Sequence, residues 1–61
     1  MRKISKYDVL SLLAKKLPFY AATQWLKASN PELEGKTPSE LLEDGYTERV
    51  YKALEKDLKD S

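Results

Sequence analysis

The segment from Asn30 to Leu42 constrains the fold more than any other part of this 61-residue chain. Thr37 is a good N-cap, because its hydroxyl can accept a hydrogen bond from an unpaired N–H of a first helical turn. Pro38 then falls at the first helical position, where its missing N–H costs nothing. Glu40 follows three residues after the cap and completes the pattern of a capping box. Upstream, Asn30-Pro31 ends a helix because a residue before proline is pushed out of the α region. The segment predicts a helix end, a stiff loop and a helix start.

Helical spacing of apolar residues extends this prediction to the whole chain. Ser5 is the expected first N-cap, Pro18 interrupts the first helix and opens the second, and Gly45 is a good residue to end the third. The predicted helices run from Ser5 to about Leu17, from Pro18 to about Ala28, from Pro38 to about Asp44, and from about Thr47 onward. No alternating run favours a strand. We therefore expect a single all-α domain over residues 1–61, a small bundle of four short helices.

The apolar positions of these helices define an expected core. Trp25 is the largest side chain in so small a protein, so we expect it to be a buried anchor. From the loop, Leu33 is expected to fold inward, and Gly35 to supply a backbone conformation that other residues avoid. The expected core residues are Leu10, Leu13, Phe19, Trp25, Leu26, Leu41, Leu42, Val50 and Leu54.

Composition excludes several classes of function. The chain has no cysteine and no histidine, which removes disulfides, thiolate sites, the commonest metal ligand and the commonest general base. No spacing brings two carboxylates together across a cleft. We therefore expect no enzyme, no catalytic residue, no cofactor and no metal site. No apolar run approaches the roughly 18 residues of a membrane span, and no secretory signal is present, so we expect a cytoplasmic protein.

The charge distribution leaves two classes of binding protein open. Residues 1–31 carry six basic residues and one acidic residue, whereas residues 32–61 carry five basic and nine acidic residues. One class is a small module that binds another protein. The other is a helical nucleic-acid binder, although its helices are poor in the side chains that suit base edges. A chain this short also has a small stability margin, so a homo-oligomer or a stabilising partner is expected. The basic residues of the second class would be Arg2, Lys3, Lys6, Lys15, Lys16 and Lys27.

An ordered set of residues resembles the toxin-binding domain of the MbcA/ParS/Xre antitoxins. That family shows an Ala-x-x-Trp-Leu helix, a short loop with Asn-Pro and Leu-Gly-Gly, then a basic residue, Thr or Ser, Pro and a Leu-rich helix. The resemblance covers about residues 22–54, and Glu34 stands where the family usually has the first Gly of the pair. The matching residues are Ala22, Trp25-Leu26, Asn30-Pro31, Leu33, Gly35-Lys36-Thr37-Pro38 and Glu40-Leu41-Leu42.

The resemblance implies that the chain binds a RES-type toxin, whose family activity is consumption of NAD, and holds it inactive. Nucleic-acid binding is not expected, since the helix-turn-helix domain that usually precedes this module has no counterpart here. A stiff loop presents side chains to a partner at low entropic cost, and tyrosines are common interface anchors. The residues that we expect to contact the partner are Asn30, Glu32, Glu34, Lys36, Tyr46 and Tyr51.

Overall fold

The structure, a computed structural model, describes residues 4–60 and the side chains of residues 4–59. Within that range the chain forms four α-helices and one short 3-10 turn, with no strand. The helices are α1 (Lys6–Lys16), α2 (Phe19–Lys27), α3 (Pro38–Glu43) and α4 (Thr47–Asp60), and the 3-10 turn is Pro31–Leu33. The all-α prediction and its four short helices are confirmed, and the helices begin and end close to the predicted residues.

Local capping fixes where α1 and α3 begin. The Asp8 carboxylate accepts hydrogen bonds from the N–H of Ser5 at 2.8 Å and from its hydroxyl at 3.3 Å. At α3, the Thr37 hydroxyl accepts from the N–H of Glu40 at 3.2 Å, and Pro38 occupies the first turn. Of the two hydrogen bonds of the predicted capping box at Thr37, only the one accepted by the Thr37 hydroxyl forms among the described residues. Each cap supplies a partner that the first turn of a helix otherwise lacks.

The connection from α3 to α4 closes with a Schellman motif. The N–H of Gly45 donates to the carbonyl of Leu42 at 3.3 Å, and the N–H of Tyr46 donates to the carbonyl of Leu41 at 2.8 Å. This pairing requires a left-handed residue, which Gly45 supplies with a φ of 91°. The predicted end of the third helix at Gly45 is therefore confirmed.

Helix α4 is the centre of the bundle. It packs against α1, α3 and the 3-10 turn, while α2 lies against α3 and α1. Of the expected core residues, Leu13, Leu41, Val50 and Leu54 are confirmed as buried. Leu33, expected to fold inward, is also buried. The buried hydrophobic cluster consists of Val9, Leu13, Leu33, Leu41, Val50, Ala53 and Leu54, and Pro38 is buried as well.

For two of the expected core residues the predicted burial was wrong. Leu10 is 42% exposed and Phe19 is 86% exposed. Leu10 follows Val9, which faces α4, and one residue further along a helix turns about 100° away. Phe19 begins α2, and because helical side chains lean toward the N-terminus its ring points past the start of the helix. Neither the ring of Phe19 nor the side chain of Leu10 belongs to the buried cluster.

Three more expected core residues lie at the edge of the core. Trp25, Leu26 and Leu42 are half-buried and pack against the buried cluster. Trp25 is thus less buried than expected. The centre of the core is aliphatic, and Trp25 covers its side.

Candidate protein-binding surfaces

Asn30 organises the loop between α2 and α3 and is not presented to solvent. Its side chain is buried, with the residue only 6% exposed. Its Oδ1 accepts from the N–H of Glu32 at 2.9 Å, and its carbonyl accepts from the N–H groups of Leu33 and Gly35 at 2.9 and 3.0 Å. Its own N–H donates to the carbonyl of Lys36 at 3.0 Å. The expectation that Asn30 contacts a partner is corrected, because its polar atoms are used to close the loop.

The same loop is tied to α4 by a shared carboxylate. One oxygen of Asp57, Oδ2, accepts from Trp25 Nε1 at 2.7 Å and from Asn30 Nδ2 at 3.4 Å. A buried indole N–H needs such a partner. Sequence reasoning missed Asp57, since a carboxylate 32 positions after Trp25 carries no local signal. This acceptor fixes the end of α2 and the loop against α4.

Glu32 and Glu34, both predicted to face a partner, form ion pairs within the chain. Glu32 Oε1 lies 3.0 Å from Lys56 Nζ, and Glu34 Oε1 lies 3.1 Å from an Arg49 guanidinium nitrogen. All four side chains remain substantially solvent-exposed. The two pairs align the loop with α4, so a partner that used either carboxylate would compete with a cation of this chain.

The remaining three predicted contact residues are dispersed. Lys36 is exposed at the end of the loop, Tyr46 is exposed in the connection between α3 and α4, and Tyr51 is half-buried on α4 and packs against the core. The structure thus gathers the loop residues with α4, where a depression of about 260 Å³ is bordered by the charged side chains of Glu32, Arg49, Lys52 and Lys56. Two of the four border side chains, Glu32 and Lys56, pair with each other, and Arg49 pairs with Glu34.

A second surface, between α1 and α2, is apolar and open to solvent, and the packing of the core does not explain why it is apolar. Between α1 and α2 lies a groove of about 380 Å³, which continues along α2 into a second depression that shares Phe19 and Thr23 with it. Tyr20, 72% exposed, lines the second depression. We call the first depression the α1–α2 groove; its principal lining residues are Leu10, Ala14, Leu17, Phe19, Ala22 and Leu26.

The polar groups beside the groove are already bonded to their own helix. The Thr23 hydroxyl donates to the carbonyl of Phe19 at 2.9 Å, and Gln24 Nε2 donates to the Tyr20 hydroxyl at 2.9 Å. The Thr23 hydroxyl proton is therefore used within α2, whereas the Tyr20 hydroxyl, which accepts, keeps its own proton to donate. What remains for recognition is apolar area, the Tyr20 hydroxyl and Lys27 at the border of the second depression.

In the described part of the chain, no group of three or more acidic residues could hold a metal ion. No helix of that part is long and apolar enough to cross a bilayer.

Comparisons with known proteins add no identification. No family model, no curated protein and no solved structure matches this chain.

Proposed function

We propose that this chain is a protein-binding module and that the α1–α2 groove is the surface that binds. The observation that carries the proposal is the exposure of Phe19, at 86%, beside an open apolar groove. Apolar grooves and patches that the fold leaves exposed are common places for protein–protein contact. Aromatic residues, Phe among them, are also enriched at protein interfaces.

The partner proposed first is a RES-type toxin, as the resemblance over residues 22–54 implies. The loop that carries most of the resemblance supports this proposal indirectly. Asn30, Gly35 and Thr37 each have a definite structural role in shaping the loop and starting α3. The motif would then maintain the fold of the module, while the groove supplies the contact. Under this proposal the toxin is held inactive by occupancy of its surface, since the chain brings no catalytic group.

The test is co-expression of the chain with a RES-type toxin encoded beside it in its source genome. The readouts are growth, cellular NAD and recovery of the complex. We expect the parent chain to restore growth and NAD, and Phe19→Ser to lose both. Tyr7→Ser removes an exposed aromatic that lines neither the groove nor the adjoining depression, and it is expected to behave like the parent.

Three outcomes would overturn parts of this proposal. A folded parent chain that neither binds the toxin nor restores NAD excludes the toxin as partner. A complex that is indifferent to Phe19→Ser but lost on replacing Glu32 and Glu34 with Lys places the contact on the loop. Salt-dependent binding to duplex DNA with no protein complex would favour the nucleic-acid class. For that class, Arg2 and Lys3 lie outside the described residues, while Lys6, Lys15, Lys16 and Lys27 are all exposed.

A further inference from the structure

The walls of the α1–α2 groove include residues four apart on each helix. Leu10 and Ala14 line it from α1, and Phe19 and Thr23 line it from α2. Residues four apart on a helix share a face. The α2 row continues to Lys27, which lines the adjoining depression together with Phe19 and Thr23. Because α2 leads out of the corner at Leu17-Pro18, Lys27 stands at the end of its row away from the corner. The groove and the adjoining depression are therefore apolar near the corner and carry a cation at the far end of α2.

The lining of the groove and of the adjoining depression contains no acidic residue. Asp8 is the one acidic residue between positions 4 and 31, and its carboxylate caps α1 through Ser5. Lys27 forms no ion pair with any residue that the structure describes, whereas Lys6 Nζ lies 5.8 Å from the centre of the Tyr7 ring. This contrasts with the loop face, where Glu32 and Glu34 each pair with a cation on α4. The positive charge at the groove is thus available to a partner.

We propose that the occupant of the groove is an amphipathic helix of another protein whose apolar row is flanked by Glu or Asp at one end. This inference rests on the proposed function and specifies the chemistry of its partner. The apolar row of such a helix would fill the groove between Leu10 and Phe19, and its carboxylates would meet Lys27 at the end of the adjoining depression. Helix-in-groove recognition uses apolar anchors at this spacing, and complementary charge raises the association rate and excludes wrong partners.

A second copy of this chain fits the groove less well. A two-fold interface brings the same surface of both copies together, and because neither surface has an acidic residue in its lining it offers no carboxylate to Lys27. A head-to-tail contact with the acidic half of another copy would offer one, but such contacts build rings or filaments instead of a two-fold dimer. The charge distribution therefore favours a different, acidic protein.

The experiment uses two synthetic helical peptides with an identical row of leucines. One carries Glu at the flanking positions of one end and the other carries Lys there. Each is titrated into the isotope-labelled full chain, and amide chemical shifts report the site and the affinity. We expect the Glu peptide to bind about tenfold more tightly than the Lys peptide at low salt and to shift the amides of Leu10, Ala14 and Thr23.

Two charge reversals test the role of the lysine. Lys27→Glu, in the last turn of α2, is expected to weaken the Glu peptide about fivefold to tenfold. Lys15→Glu is the matched control, because it makes the same charge change in the last turn of α1 but lies off the groove row. It is expected to change affinity less than about twofold, through net charge alone. Helical content measured by circular dichroism verifies that both variants fold.

The outcomes separate this inference from the proposed function. Equal or tighter binding of the Lys peptide, or equal effects of the two reversals, overturns the acidic-partner assignment. A toxin complex that depends on Phe19 while neither peptide binds also overturns it but leaves the proposed function standing. Groove shifts that appear on raising the protein concentration without any peptide would show that a second copy is the occupant. Loss of both peptide binding and the protein complex removes both proposals.

Discussion

The loop from Asn30 to Lys36 and the corner where α1 meets α2 are both short connections, but they are built differently. Most polar and apolar groups of the loop contact other parts of the same chain. Asn30 closes the loop, Leu33 is buried, and the carboxylates of Glu32 and Glu34 form ion pairs with α4. The corner is only Leu17 and Pro18, and beside it Phe19 and Leu10 face solvent. A loop whose hydrogen-bonding and apolar groups are already in contact within the chain has few groups left to bind a partner. We therefore expect the partner to bind beside the corner and the loop to stabilise the fold.

The largest expected contrast comes from truncating one apolar side chain in each region. Leu33→Ala should destabilise the fold by about 2–5 kcal/mol, because it removes a buried side chain and leaves a cavity. Phe19→Ala removes more atoms but should change stability by only about 0.5 kcal/mol or less, because the ring is already in water. Chemical unfolding of the two variants measures both values. Similar losses would mean that Phe19 is a core residue and that the groove is closed in solution.

The polar counterpart of this test is Asn30→Ala. The substitution leaves the Glu32 N–H without its side-chain acceptor and takes one donor from Asp57, so we expect a loss of about 1–3 kcal/mol. Ser29→Ala changes the exposed neighbouring residue and is the matched control, expected to be close to neutral. If the two variants unfold at the same denaturant concentration, Asn30 does not organise the loop.

A smaller effect is expected at the start of α3. Thr37→Ala removes the hydroxyl that accepts from Glu40 and should cost about 1 kcal/mol. Thr37→Ser keeps an N-cap hydroxyl and should retain most of that stability. An alanine variant as stable as the serine variant would show that α3 is held by the burial of Pro38 and Leu41 rather than by its cap.

The sequence predicts the loop better than the groove for a physical reason. Caps, prolines and glycines act over three or four residues, so Thr37, Pro31 and Gly45 could be interpreted locally. Burial depends on which face of a helix meets its neighbours, and the apolar stripe of α1 is wider than one neighbour can cover. Leu10 and Leu12 are about 200° apart on a helix, so both cannot face α4; the structure half-buries Leu12 against the core and exposes Leu10. That excess width is the signal that could have predicted the groove.

Glu34 has a backbone conformation that is unfavourable for a residue other than glycine, and its replacement is the test with the smallest expected effect on stability. It has a φ of 59°, a left-handed conformation that disfavours a side chain by about 1 kcal/mol. Gly35 follows with a φ of 83°, so the loop geometry requires two such residues in succession. Here the Glu34–Arg49 pair, exposed and therefore worth only about 0.2–1 kcal/mol, offsets part of the strain.

Replacing Glu34 with Gly therefore has two small and opposite effects on the free energy of unfolding. Relief of the left-handed strain stabilises the loop, whereas loss of the ion pair and the greater freedom of glycine in the unfolded chain oppose it. Since salt screens only the ion pair, we expect Glu34→Gly to be close to neutral at low salt and about 0.5 kcal/mol more stable than the parent at high salt. Arg49→Ala is the control, because in that background the gain from Glu34→Gly should appear at both salt concentrations. A loss of stability that is independent of salt and of Arg49 would show that Glu34 stabilises the loop by some contact other than this pair.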